Sequence, residues 1–156
     1  MSWPGKIVRW SFYLLLFLVP LFFLTTTSEL FEFPKIILTY YLATIITAAW
    51  AADCILQKRL IFRRTPLDVP LLIFLITQSF SFFFSISTHV SWYGYYSRFN
   101  GGLASLITSA LLCWAAVTYM DRRSTLKSIA YCLVPSALLV SIYGALEHFG
   151  FSPSLS

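Results

Sequence analysis

Charged residues along this chain fall in short groups, and long uncharged stretches run between them: 10–28, 36–52, 69–88, 99–120 and 128–146. Each approaches the roughly 20 apolar residues a helix needs to cross the ~30 Å hydrocarbon core of a bilayer. Backbone polar groups inside that core must be bonded internally, which a helix achieves within its own segment. The pattern predicts an all-α, polytopic helical membrane protein with five transmembrane helices. Their spans are about 10–27, 36–56, 69–87, 101–120 and 128–147, forming one bundle over residues 1–156.

Within the spans the polar positions predict which faces pack. Thr77, Ser81 and Ser85 share one face of the third span, with Phe80, Phe83 and Phe84 mostly on another. The hydroxyl face is expected against other helices and the phenylalanines against lipid. Gly101, Ser105, Ser109 and Cys113 recur every four residues in the fourth span, as do Ala137, Ser141 and Ala145, beside Gly144, in the fifth. Small residues let helix backbones approach closely, so these stripes predict helix–helix seams. The serine-phenylalanine alternation of 79–87 resembles a strand, but its place in a long uncharged run decides for a helix. Pro20 predicts a kink near 17–20, and Pro135 a bend in the fifth span. Pro34 suits the first turn of the second span.

Composition sharpens the picture. The hydrophobic share is 58% and the charged share 11%, against about 25% charged in an ordinary soluble domain. A soluble core of 156 residues has no room for that much apolar surface. The net charge of +5 does not point to nucleic acid, because the positions of the cations account for it. Lys6 and Arg9 precede the first span. Lys58, Arg59, Arg63 and Arg64 follow the second, and Arg122, Arg123 and Lys127 follow the fourth. Of the eleven basic residues only Lys35 and Arg98 fall in the other two loops. The positive-inside rule then puts the N-terminus in the cytoplasm and the C-terminus outside. The 58–68 loop reads as a topology determinant that touches anionic lipid heads. No small-x-small cleavage site follows the first apolar run, so an uncleaved first helix is expected. Cys54, Cys113 and Cys132 match no metal spacing and read as inert small apolar residues. No metal or cofactor is implied.

Chemistry has two candidate locations, both on the predicted outer side. The first is the loop His89–Gly102, dense in aromatic and polar residues. One reading is an interfacial belt, with tyrosine and tryptophan at headgroup level and Arg98 snorkelling to phosphates. The other is a binding surface for a phosphorylated glycan or lipid-linked sugar: Trp92, Tyr95 and Tyr96 pack on sugar rings and Arg98 forks onto a phosphate. In that reading Asn100-Gly101-Gly102 offers backbone N–H groups near a helix start. The second location is Glu147-His148 at the end of the fifth span. Adjacent helical residues diverge by about 100°, which weighs against joint action on one atom. Nothing completes a hydrolytic triad, a phosphate-cradling loop or a metal cluster. With two histidines and six acids, and no ionisable residue at mid-membrane, neither a full catalytic site nor an ion-coupled transporter is indicated.

Four strings occur together in order: Pro66-Leu-Asp-Val-Pro70, Phe84-Ser-Ile-Ser87, Gly94-Tyr-Tyr-Ser-Arg-Phe-Asn-Gly-Gly102 and Tyr143-Gly-Ala-Leu-Glu-His-Phe-Gly150. With them the chain resembles the N-terminal helices of the bacterial O-antigen ligase/polymerase superfamily. The resemblance implies a multi-pass inner-membrane glycosyltransferase that builds cell-surface polysaccharide from an undecaprenyl-diphosphate carrier. It implies essential residues beyond the fifth helix, so no catalytic residue is carried onto this chain. The expected entity is the N-terminal portion of such a protein, inactive alone, with membrane lipids, the carrier-linked glycan and C-terminal helices or a partner membrane subunit around it. The alternative is a small non-enzymatic membrane subunit or scaffold.

Overall fold

The computed structural model describes residues 2–22, 32–95, 99–120 and 123–149, without the side chains of Arg123, Ser124 and Glu147. Its elements are α1 (Trp3–Leu21), α2 (Glu32–Leu56), α3 (Asp68–Phe83), α4 (Thr88–Tyr93), α5 (Leu103–Tyr119) and α6 (Arg123–His148). Among the described residues there is no strand, only an isolated antiparallel bridge between Gly94 and Gly101. The 79–83 stretch is helical, as run length predicted. By length and composition α1, α2 and the 125–146 part of α6 suffice to cross a membrane; α3 and α5 are shorter apolar helices.

Helix ends follow local chemistry more closely than charge-free runs do. α1 begins at Trp3, seven residues before the expected span. Ser2 caps it, its Oγ accepting the Gly5 N–H at 3.3 Å, and Pro4 stands in the first turn. Lys6 and Arg9 therefore ride on the helix, Lys6 exposed and Arg9 half-buried with its Nε enclosed. Glu32 and Pro34 occupy the first turn of α2, which ends at Leu56 as expected. The third span, expected to 87, stops at Phe83; α4 follows after a break. α6 starts at Arg123, ahead of the expected 128, with Pro135 inside it. The turn expected around Glu29 lies outside the described residues.

The core forms where α1, α2 and α5 meet. Val8, Phe12, Ile46, Ala49, Ala115, Tyr119 and Met120 are its buried apolar members. α3 packs on α5 and α4, and among the described residues α6 packs on α1 alone of the helices. Cross-links set the directions. The end of α2 meets the start of α1 and the end of α5 at Asp53. The end of α5 meets the start of α3 at Trp114 and Asp68. Ser136, near the middle of α6, donates to the carbonyl of Phe17, four residues before the end of α1, at 3.1 Å. The five long helices thus alternate up and down. One end of the bundle collects Lys6, Lys58, Arg59, Arg63 and Arg64; the other collects the aromatic 89–95 stretch and 99–102.

The stripe expectations are corrected. Thr77 and Ser81 are exposed and Ser85 lies beyond the helix end, while α3 turns its half-buried Leu71, Leu75, Gln78, Ser79 and Phe82 inward. In α5 only Ser105 of the predicted stripe is buried; Ser109 and Cys113 are exposed. In α6 Ala137, Ser141, Gly144 and Ala145 are all exposed, and its buried residues are Thr125 and Ser136. Three of the exposed stripe hydroxyls bond locally: Thr77 donates to the Phe74 carbonyl, Ser109 to the Ser105 carbonyl and Ser141 to the Ala137 carbonyl, each at 2.8 Å. A hydroxyl bonded to its own helix has nothing left to donate across a seam.

Candidate functional site at the aromatic end

The aromatic end is organised by glycines. Gly94 adopts φ +89, and a Cβ there would overlap the Asn100 carbonyl. A side chain at Gly102 would strike the Trp92 carbonyl and the Gly94 nitrogen. Only glycine permits so close a crossing of two backbone strands. Tyr95 N–H donates to the Asn100 carbonyl at 3.2 Å and Phe99 N–H to the Tyr95 carbonyl at 2.9 Å, closing the loop. The Ser85 and Ser91 hydroxyls hydrogen-bond to each other at the α3–α4 break.

This loop is tied to α2 from below. The Tyr40 hydroxyl donates to the Phe99 carbonyl at 3.0 Å. Phe99 packs on Phe33 and Tyr93, with ring centres 5.5 and 5.8 Å apart. Two concavities flank the tie. A polar cleft of about 520 Å³ is lined by Glu32, Tyr95, Asn100 and Gly101. A groove of about 310 Å³ runs between α2 and α5, lined by Tyr40, Ala43, Thr44, Thr47, Tyr93, Ala104, Thr108 and Leu111. Its threonines all donate to carbonyls of their own helices. The groove wall is thereby apolar in effect despite its hydroxyls.

Of the residues named from sequence, Tyr95 and Asn100 line the polar cleft together. Trp92 does not line it; its ring packs on Phe82, centres 5.6 Å apart. Tyr96 and Arg98 lie outside the described residues, as does the Glu147 side chain. His148 is exposed at the end of α6, its ring 5.7 Å from that of Phe149. Among the described residues α6 packs on α1 alone, and no helix contact there brings His148 to the cleft. The proposed backbone anion site is corrected in part. The Gly101 N–H already donates to Asn100 Oδ1 at 2.8 Å and to Ser105 Oγ at 3.1 Å.

Sequence reasoning missed the polar cluster at the opposite end. Asp53, 1% exposed, accepts the Tyr119 hydroxyl at 2.7 Å and the Gln57 amide at 2.9 Å. Ser2 and Gly5 of α1 close over it. A Cβ at Gly5 would lie 3.0 Å from Ser2 Oγ and 3.4 Å from Asp53 Oδ2. A buried carboxylate needs such partners, since an unpaired one carries a large desolvation cost. The available signal was an acid and a tyrosine at the same-side ends of two neighbouring helices. The three cysteines are free thiols.

No family model, no curated protein and no solved structure matches this chain.

Proposed function

We propose that this chain is a multi-pass protein of the bacterial inner membrane that crosses it five times from a cytoplasmic N-terminus and serves cell-surface polysaccharide assembly. In this reading its aromatic end receives an undecaprenyl-diphosphate-linked glycan, as in an O-antigen ligase-like glycosyltransferase. The observation carrying it is the Tyr40–Phe99 hydrogen bond, which sets a polar cleft and an effectively apolar groove on either side of one aromatic segment. A lipid-carried sugar has the same two needs. Its hydrocarbon requires a surface without unpaired polar groups, and its head requires hydrogen-bonding groups and aromatic faces. Asn100 and Tyr95 supply these at the cleft, with Arg98 three residues on from Tyr95. The alternating helix directions support five crossings. α3, at 16 residues, is about 24 Å long, a shortfall that local bilayer thinning absorbs.

The test uses a photoreactive polyprenyl diphosphate on the purified chain in neutral detergent. Labelling is expected within 93–111, with unlabelled undecaprenyl diphosphate competing. Thr44→Trp and Thr108→Trp, which fill the groove, should each cut labelling at least tenfold. Labelling that ignores both the competitor and the substitutions sinks the proposal. The uncovered small-residue face of α6 favours a second reading, a non-enzymatic membrane subunit. That reading predicts a stable complex with another membrane protein through residues 137–145, and no saturable labelling by the probe.

A further inference from the structure

The basic 57–65 segment is a folded loop rather than a free linker. Trp50 Nε1 donates to the Ile61 carbonyl at 2.8 Å, and the Ile61 N–H reaches Cys54 Sγ at 3.5 Å. The Arg63 N–H donates to Thr118 Oγ1 at 3.5 Å, and the Thr65 N–H to Asp68 Oδ2 at 2.7 Å. Phe62 sits between two indoles, stacked on Trp50 with ring centres 6.4 Å apart and edge-on to Trp114 at 6.1 Å. Arg59 is held from within: its Nε and Nη2 donate to Gln57 Oε1, and Gln57 in turn donates to the buried Asp53. Lys58, Arg59, Arg63 and Arg64 are all exposed on this scaffold. Aliphatic side chains stand among them, with Leu60 89% exposed and Ile55 and Leu56 exposed beside it.

We infer that this loop is a docking platform for anionic phospholipid headgroups in the leaflet around the basic end of the bundle. Fixed cations match headgroup phosphates, and each basic side chain near an anionic surface adds attraction. The bare aliphatics choose lipid over an acidic protein. Leu60 among cations suits the boundary between headgroups and acyl chains, where amphipathic segments settle. The pinning by Trp50, Phe62 and Trp114 presents the charges already ordered, so little conformational entropy is lost when the lipid arrives.

The experiment mixes the purified full chain, in a non-ionic detergent, with phosphatidylglycerol or phosphatidylcholine and counts retained lipid by native mass spectrometry. The chain should retain phosphatidylglycerol at least tenfold better than phosphatidylcholine. K58Q/R59Q/R64Q should erase the preference. Phe62→Ala keeps every charge but removes the central ring of the stack, and should weaken phosphatidylglycerol retention at least threefold. Trp50→Phe, which keeps a ring and loses only the bond to Ile61, should fall between it and the parent chain; it replaces Phe62→Ala if that variant does not fold. Equal retention of the two lipids overturns the inference, as does an unchanged preference in the triple variant. A loop variant that binds like the parent overturns the platform. Displacement of the lipid by an acidic peptide at equal concentration overturns the choice of partner.

Discussion

Two carboxylates show how single residues hold the basic end together. Asp53 gathers α1, α2 and α5, and its partners depend on it. Asp53→Ala leaves the buried Tyr119 hydroxyl and the half-buried Gln57 amide without this acceptor, at a cost of about 1–3 kcal/mol. Asp53→Asn keeps an acceptor oxygen and should cost less. Unfolding of the purified chain in mixed detergent–SDS micelles measures both, and equal stability of all three proteins would refute the clamp. Asp68 lies outside the spans at the start of α3. The Thr65 backbone N–H first, then the Thr65 hydroxyl, hold its carboxyl below the ordinary aspartate range, with Trp114 and Arg64 adding to the effect. A carboxyl whose folded value is lowered stabilises the fold at pH above its unfolded value, and that stability is lost as pH falls through the folded value. Thermal unfolding from pH 7 down to 3 should therefore show an acid-side loss that Asp68→Asn, with no group to titrate there, lacks. Parallel pH profiles for the two proteins would refute it.

Individual helices show why periodicity succeeded for existence and failed for orientation. In water, the apolar face of a helix is the buried face. In a chain this apolar every face qualifies, so the eye falls on small and hydroxyl residues, and here most of those bond to their own backbone. α6 illustrates the consequence. Its anchor is Ser136, 1% exposed, which reaches a carbonyl in the turn that Pro20 disturbs. No repeat includes Ser136, and only the facing helix marks it. Ser136→Ala should weaken α6 docking by about 0.5–1.5 kcal/mol, whereas Ser141→Ala, on the exposed stripe, should leave it unchanged. Disulfide trapping between a cysteine placed at 13 and the native Cys132 would report the difference. The aromatic loop belongs to the same scale. Gly94→Ala forces a Cβ into the Asn100 carbonyl at a positive φ. It should therefore abolish probe labelling of 93–111 while leaving the Asp53 cluster intact, as read by an unchanged Tyr119 hydrogen bond in the ultraviolet resonance Raman spectrum.

The whole molecule is a chain of tethered helices around a small centre. α1, α2 and α5 form a core, and α3 and α6 attach to it through one long helix each, with α4 beside α3. Its two ends differ in chemistry because cations and aromatics were already segregated in sequence. Five long uncharged runs pointed to helices, since within a single apolar segment only a helix bonds its own N–H and C=O groups. Pro34 in the first turn of α2 was legible from its own chemistry, whereas the Ser2 cap of α1 was not. Tyr95 and Asn100 were legible as a cluster because they are close in sequence. What only the tertiary structure decided is which faces meet and which distant polar groups find each other. Asp53 and Tyr119 are 66 residues apart, and Tyr40 and Phe99 are 59 apart. Such pairings are set by how three helices cross, a property of packed volumes that the order of apolar residues along one helix does not encode.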